Sequence, residues 1–445
     1  MALFRDIPTP TKEDSPAACI EWAARRDPIG HRVHLALGMV ALFAIPLAST
    51  PATIASTILF GYALLRAPTL WRTWRDLPKS PVVIAMVLLF AWMACSIAWS
   101  ADPDKGIRLL RGSRYLLLIP ALLPLLAHRR LLLQALTAGI LVQCTAQFGE
   151  YLIGSGSAGG GFSEHPGHTA LWYSIPLGFL LFEPKSVAGG RWCRGILFLL
   201  VGLGLLLTVS RSALIGTLAG LVIAFVLDDA MKQRKISGAV VVKIACFLIG
   251  AAILVSVSPI SQRMNNAWSA LTTPYEQGEF NIEQTRPLWW RAGTHAWQEH
   301  PVIGSGLGSA QEIITSNEEV QSIVAQSPKN ASAARDDFHS TFVTVLVETG
   351  LIGSFFLLLW MALLAQSLVR NKEFRSILIT GYIAWLGYSA LNTTLFSGRL
   401  VAFSSTLLAL SLVRDMTGHV GFRGAFGLSA GKGRTGLDGT KKAHE

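Results

Sequence analysis

Residues 336–353 read DDFHSTFVTVLVETGLIG. Asp336, Asp337 and His339 stand directly in front of an apolar run, and that run carries Glu348, Gly350 and Gly353. A polar start followed by a long apolar stretch predicts a helix that enters lipid at His339 and spans residues near 340–368. Similar runs recur on both sides of it. The chain has 445 residues, 51% hydrophobic and only 15% charged, where a soluble chain carries about 25% charge. Windows of about 17–25 apolar residues mark transmembrane helices. They predict about twelve, near 33–50, 51–67, 81–99, 108–127, 131–153, 167–182, 195–209, 212–228, 238–257, 340–368, 376–392 and 398–413. Only a short connection, Ala48-Ser49-Thr50-Pro51, separates the first two, which could form one re-entrant unit. The expected class is an all-α polytopic membrane protein. The first 30 residues hold no continuous apolar core, so a cleavable leader is not expected.

Charge orients this array. With the N-terminus inside, the inner segments hold 26 of the 38 Lys and Arg residues. The positive-inside rule then predicts N-in and C-in with an even number of spans. The net charge of +11 is mostly this belt facing anionic lipid. No basic stripe with interleaved aromatics stands out, so nucleic acid is not an expected partner. Cys19 and Cys193 fall in inner segments and Cys95, Cys144 and Cys246 in spans, which predicts no disulfide framework.

One segment breaks the rhythm. Residues 258–338 are too long for a connector and predict a small outer helical domain. The division expected is an inner N-terminal segment 1–32, helices 33–257, the outer domain 258–338, helices 339–413 and a disordered inner tail 414–445. Within the outer domain, a helix is expected from Pro287 in its first turn to a stop at His300-Pro301. A second is expected from Ser309 to Gln326. Gly304-Ser-Gly-Leu-Gly308 between them predicts a tight turn, without the Lys-Ser/Thr of a phosphate loop. The glycine-rich outer loop 154–167 offers His165 and, at its end, His168.

Positive charge is scarce outside, so each outer arginine carries information. Arg211 sits in Thr208-Val-Ser-Arg-Ser212 between two apolar spans. Arg108, Arg111 and Arg114 recur every three residues on one face of a helix start. Arg286 and Arg291 flank the Trp289-Trp290 pair. Arg211 could simply cap a span, the Arg108/Arg111/Arg114 face could bind headgroups or pair with Asp102 and Asp104, and Arg291 could stack on a tryptophan. The shared functional reading is an anion site at the outer leaflet, because guanidinium forks match phosphate with paired, charge-assisted hydrogen bonds. His339 has Asp336 and Asp337 beside it in sequence, and a carboxylate can orient an imidazole and raise its basicity, while adjacent arginines would favour the neutral base. The same three residues could in principle ligate a metal. Glu348, nine residues on, lies about 13 Å deeper and needs a partner that the sequence does not name.

These residues carry a resemblance. His339-Ser340, then nine residues, then Gly350-Leu-Ile-Gly353 is similar to the motif of the O-antigen ligases. Arg286-x-x-x-Trp290 followed by Pro301-x-x-Gly304-x-Gly306 resembles the upstream block of the same ligase and polymerase superfamily. Ser210-Arg211-Ser212 is similar to the family's outer arginine between two spans, and Ser340 stands where Asn is common in the wider superfamily. The resemblance implies a GT-C-like glycosyltransferase of the bacterial inner membrane, with its site on the periplasmic face. Such enzymes transfer a polysaccharide from an undecaprenyl-diphosphate-linked O-antigen donor to a sugar hydroxyl of a lipid A–core acceptor. The implied reaction is inverting, with no metal and no cofactor. His339 would be the general base and Arg211 and Arg286 would hold the diphosphate, with Arg291, Arg111, Arg108, Asp337 and His168 as further substrate contacts. A polymerase extending a second lipid-linked chain, or a protein O-oligosaccharyltransferase, would use the same donor. A transporter of lipid-linked glycan would instead need ionisable residues at span midpoints, where Glu150 and Lys243 are the obvious span charges.

Overall fold

The computed structural model describes residues 16–153, 160–163, 165–183, 185–233, 245, 249–250, 256, 282–326 and 337–412. Among the described residues every regular element is a helix. The first are α1 (Pro16–Arg26), α2 (Pro28–Ala44), α3 (Ser49–Leu65), α4 (Ala67–Trp74) and α5 (Pro81–Ser96). Next come α6 (Pro103–Leu110), α7 (Leu118–Leu122), α8 (Arg129–Ile153), α9 (Pro166–Trp172), α10 (Ser174–Phe182), α11 (Gly190–Leu207) and α12 (Arg211–Gln233). The later part holds α13 (Ile282–Glu299), α14 (Ala310–Ser316), α15 (Glu318–Gln326), α16 (Thr341–Arg370), α17 (Arg375–Ala390) and α18 (Gly398–Ser411).

Helical segments coincide with eleven of the expected spans, but the count of twelve membrane crossings is met only in part. Among the described residues, five helical runs are long and apolar enough to cross a membrane: Pro81–Trp99, Pro103–Ile153, Gly190–Leu207, Arg211–Met231 and Thr341–Arg370. The bent pair formed by α3 and the segment Ala67–Lys79 would make a sixth, turning through 92° at Arg66. That bend is built on polar contacts, because the buried Arg66 donates to Asp27 at 2.9 Å and meets His34 Nδ1 at 3.1 Å. Apolar side chains on the long helices stay exposed, among them Leu351, Phe355 and Leu358 along one face of α16. Such a surface needs an apolar solvent, and the chain is a membrane protein.

Elsewhere the expected helices are divided or shortened for local reasons. The span expected at 108–127 is a chain of short pieces, with 3₁₀ turns at Arg111–Leu117 and Leu123–His128 around α7. Pro120 and Pro124 withhold the amides that an α-helix would use there. The expected 167–182 span divides at Tyr173 into α9 and α10. α17 and α18 have 16 and 14 residues. The expected span at 238–257 with Lys243 lies almost wholly outside the described residues. So do Asp336, the first part of the expected outer domain at 258–281, and the tail 414–445.

Two packing features position the polar residues. First, α12 lies against the almost wholly buried α17 at backbone contact: a Cβ on Gly216 would stand 2.9 Å from the Ala384 carbonyl, and one on Gly220 2.6 Å from that of Thr380. Small residues let helices approach this closely where lipid supplies no hydrophobic drive. Second, α13, α14 and α15 share an apolar cluster of their own, formed by Leu288, Trp289, Ile314, Val320 and Ile323 with Phe338 and Val347 from around the start of α16. The helix expected from Pro287 begins earlier, at Ile282, and keeps Pro287 in its interior at the loss of one backbone hydrogen bond. It ends at Glu299, next to the expected stop. The second expected helix is two helices, broken at Asn317, whose side chain accepts the Val320 amide at 3.2 Å.

Candidate active site

His339 closes the turn that leads into α16. Its φ is +49°, a left-handed conformation unusual for a residue with a side chain. Asp337 holds the turn: its Oδ1 accepts the His339 amide at 2.8 Å and stands 3.4 Å from His339 Nδ1. The other carboxylate oxygen accepts the Thr393 hydroxyl at 3.1 Å. Ser340 then caps α16, its hydroxyl facing the Val343 amide at 3.4 Å. The imidazole is 31% exposed, so a substrate can reach it. Nδ1 is the ring nitrogen turned to Asp337.

The second left-handed residue with a side chain among the described residues is Val209 at φ +53°, in the turn before Arg211. A β-branched residue there is strained by about 1–3 kcal/mol, and the turn delivers Arg211 as the first residue of α12. One loop draws the two turns together. The Asn392 carbonyl accepts the Thr341 amide at 3.1 Å and the Thr341 hydroxyl at 2.8 Å. The Asn392 side-chain amide donates to Ser212 Oγ at 3.0 Å. The Thr394 amide donates to Thr341 Oγ1 at 2.8 Å. Arg211 and His339, each one or two residues from these anchors, are thereby fixed to the same few residues.

Helix α13 completes the edge. The Trp289 ring lies 5.1 Å from that of His339, and Trp290 Nε1 donates to the Phe338 carbonyl at 2.9 Å. Arg286 is three residues before Trp289, on the same helix face. Its guanidinium lies within electrostatic reach of the Tyr388 hydroxyl, as does that of Arg399. The buried Arg399 donates to Ser163 Oγ at 2.9 Å and Thr169 Oγ1 at 3.3 Å. His168 Nδ1 meets Ser397 Oγ at 3.3 Å. The segment 391–399 therefore carries contacts to the Arg211, His339 and His168 regions at once.

The depth of α16 explains the spacing from His339 to the glycines. At Gly350 the backbone leaves the helix, with φ +68° and ψ −165°, a region open essentially to glycine alone. The freed backbone groups pair with residues 301–306. Leu351 donates to the Pro301 carbonyl at 2.9 Å, and Ser305 and Gly306 donate to the carbonyls of Val347 and Glu348 at 2.9 and 2.8 Å. A Cβ on Gly350 would stand 2.3 Å from the Val302 carbonyl oxygen, and one on Gly304 2.5 Å from the Glu348 carbonyl carbon. Glu348 also finds its partner here: Oε1 accepts the amides of Gly308 and Ala310 at 3.1 and 3.0 Å. The two motif blocks seen in the sequence are thus the two halves of one clasp.

The other expected contacts are scattered around this edge. Arg291 pairs with Glu319 rather than stacking on a tryptophan. Arg108 pairs with Asp102 at 3.8 Å and is more than half exposed. Arg111 opens a 3₁₀ turn, in which residues three apart eclipse, so Arg111 and Arg114 share a face. Arg114 reaches Thr53 Oγ1 at 3.2 Å. Gly112, next to Arg111, backs onto Gly398: a Cβ on Gly112 would stand 3.3 Å from the Gly398 amide nitrogen. Glu150 accepts the Gly161 amide at 2.8 Å. Asn392 and Arg399 were not singled out from sequence. The polar run Asn392-Thr393-Thr394 and the Ser397-Gly398-Arg399 turn between apolar helices were the available signal, since the latter mirrors Ser210-Arg211-Ser212. Among the described residues no three His, Cys, Asp or Glu side chains gather as a metal site, and Asp336 is outside them.

No curated protein matches the chain. A family model described as O-Antigen ligase matches residues 196–358, a stretch that holds Arg211, Arg286, His339, Glu348 and both glycines of the clasp. Residues 196–358 are thus similar to the O-antigen ligase family.

Proposed function

We propose that the chain is an O-antigen ligase that moves a glycan from undecaprenyl diphosphate to a sugar hydroxyl of lipid A–core. The observation that carries this reading is the meeting of the Asp337–His339 pair with the Arg211 turn across Asn392. A base and a guanidinium held to one loop suit a reaction in which a hydroxyl attacks while a diphosphate departs. The acceptor oxygen bonds to the anomeric carbon from the face opposite the leaving group. The bond from that carbon to the phosphate oxygen breaks, and configuration inverts. His339 Nε2 takes the hydroxyl proton, with Asp337 stabilising the imidazolium through Nδ1. Arg211 and Arg286 stabilise the charge that grows on the departing diphosphate, so the reaction needs no metal. Arg111, Arg108, His168 and Arg291 lie further along the donor or acceptor path. The His339 end faces the periplasm of the inner membrane, and α13–α15 form the described part of the outer domain 258–338.

The test is reconstitution of the full chain with undecaprenyl-diphosphate-linked glycan. Lipid A–core, a second lipid-linked chain and an acceptor protein are offered in turn. Glycosylation of lipid A–core supports the ligase. Glycosylation of either other acceptor replaces it by a polymerase or a protein O-oligosaccharyltransferase. Movement of intact donor across the bilayer without transfer replaces it by a transporter. His339→Ala is expected to abolish transfer and let donor accumulate, and full activity in that variant overturns the base assignment.

A further inference from the structure

A second polar site lies at the other end of the bundle. α16 has 30 residues, about 45 Å at 1.5 Å per residue, with His339 before its start and Glu373 and Phe374 beyond its end. There α1, the first turn of α2, the start of α8 and the 373–374 turn enclose a cavity of about 660 Å³. That volume falls within the range of small-ligand pockets, roughly 300–1,000 Å³. Its polar lining is His31, His128, Arg129, Arg130, Glu21 and Glu373.

The two carboxylates are engaged. Glu21 pairs with Arg25, and Glu373 stands 3.6 Å from Arg130, which also faces Glu183 at 3.6 Å. Glu373 acts on Arg129 only at longer range. The closer partners of Arg129 are neutral: its Nε donates to the Leu126 carbonyl at 3.1 Å, and its guanidinium lies over the Phe374 ring at 5.2 Å. His31 is 6% exposed, lines the cavity, and neither ring nitrogen has a hydrogen-bond partner. Its ring lies 5.4 Å from that of His128. A buried polar group left unsatisfied costs about 1–3 kcal/mol, and such groups point to a missing partner.

We propose that this cavity is an anion site that takes a phosphate group, from a phospholipid headgroup or from free phosphate. Arg129 supplies the planar fork that matches phosphate. His31 supplies the buried donor, with His128 beside it on the cavity wall. The site is independent of the transfer reaction proposed for the His339 end.

The test uses the full chain in lipid nanodiscs. One arm measures binding of radiolabelled orthophosphate in phosphatidylcholine discs. The other counts phosphatidylglycerol retained from mixed phosphatidylglycerol and phosphatidylcholine discs by native mass spectrometry. Wild type is expected to bind one of these probes, and His31→Phe and Arg129→Gln to weaken it about tenfold each, the loss of one charge-assisted hydrogen bond. Arg191→Gln, a change at an exposed residue outside the cavity, is expected to bind as wild type. Retained phosphatidylglycerol that orthophosphate does not displace assigns the headgroup, and saturable orthophosphate binding assigns the free ion. His31→Phe, which removes two orphaned nitrogens, is also expected to melt no lower than wild type in phosphatidylcholine alone, as a merely structural histidine would not. Should Arg129→Gln fail to fold, Arg129→Lys and His31→Phe carry the comparison. Equal binding of both probes by wild type and the folded variants overturns the site.

Discussion

Replacing Glu348 tests the clasp that sets the depth of α16. Alanine removes the oxygen that accepts the Gly308 and Ala310 amides at 3.1 and 3.0 Å. Glu348 is 1% exposed, so water does not replace it. Two orphaned amides at about 1–3 kcal/mol each make a loss of about 2–6 kcal/mol. Glutamine keeps an acceptor oxygen at the Oε1 position and puts its amide where Oε2 stands without a partner. Its expected cost is about 1 kcal/mol or less. The assay is paired: thermal unfolding of the solubilised full chain, and limited proteolysis between residues 301 and 310. Alanine is expected to lower the melting temperature and to speed cleavage there by about thirtyfold or more. Glutamine is expected to leave both near wild type. A wild-type cleavage rate for Glu348→Ala refutes the clasp, and equal damage from both variants refutes acceptor geometry as its cause.

Three further outcomes rest on the same geometry. Gly350→Ala puts a side chain at φ +68° and 2.3 Å from the Val302 carbonyl, and is expected to lose about 3 kcal/mol or more of stability in the same melt. Asn392→Ala removes the bond to Ser212 but keeps the backbone carbonyl that holds Thr341. Its expected signature is a turnover lowered about tenfold to a hundredfold, from misplaced reacting groups, with stability lowered by only about 1 kcal/mol. Arg211→Lys and Arg286→Lys keep charge but lose the fork, and are expected to retain little donor use in the reconstituted assay, EDTA having no effect.

Much of this site was legible because it sits at boundaries. An apolar run interrupted by His339 or Arg211 is visible in sequence, since ionisable groups in lipid are costly and therefore rare. The glycines at 304 and 350 were visible as letters. Their function was not, because it is the mutual approach of two backbones 46 residues apart. Arg399 escaped notice because its partners, Ser163 and Thr169, lie more than 200 residues upstream. The 92° bend at Arg66 was only half visible: Pro68 marks a helix start there, but Asp27 and His34, which turn that arginine inward, are distant in sequence. Hydropathy predicted continuous helices where Pro120, Pro124 and Pro176 interrupt the backbone pattern, because hydropathy counts apolar residues without asking where backbone amides go.

The break at Gly350 also divides the site mechanically. The first turns of α16, from Thr341 to Thr349, are tethered at their far end to residues 301–308 and packed on α13. His339 therefore rides with the smaller helical unit. Arg211 rides with α12, seated glycine-to-backbone on α17. The Asn392 carbonyl, the Thr393 hydroxyl and the Thr394 amide join the two halves. The clasp thus sets the imidazole on one packed unit and the Arg211 turn on another, with the 392–394 loop between them.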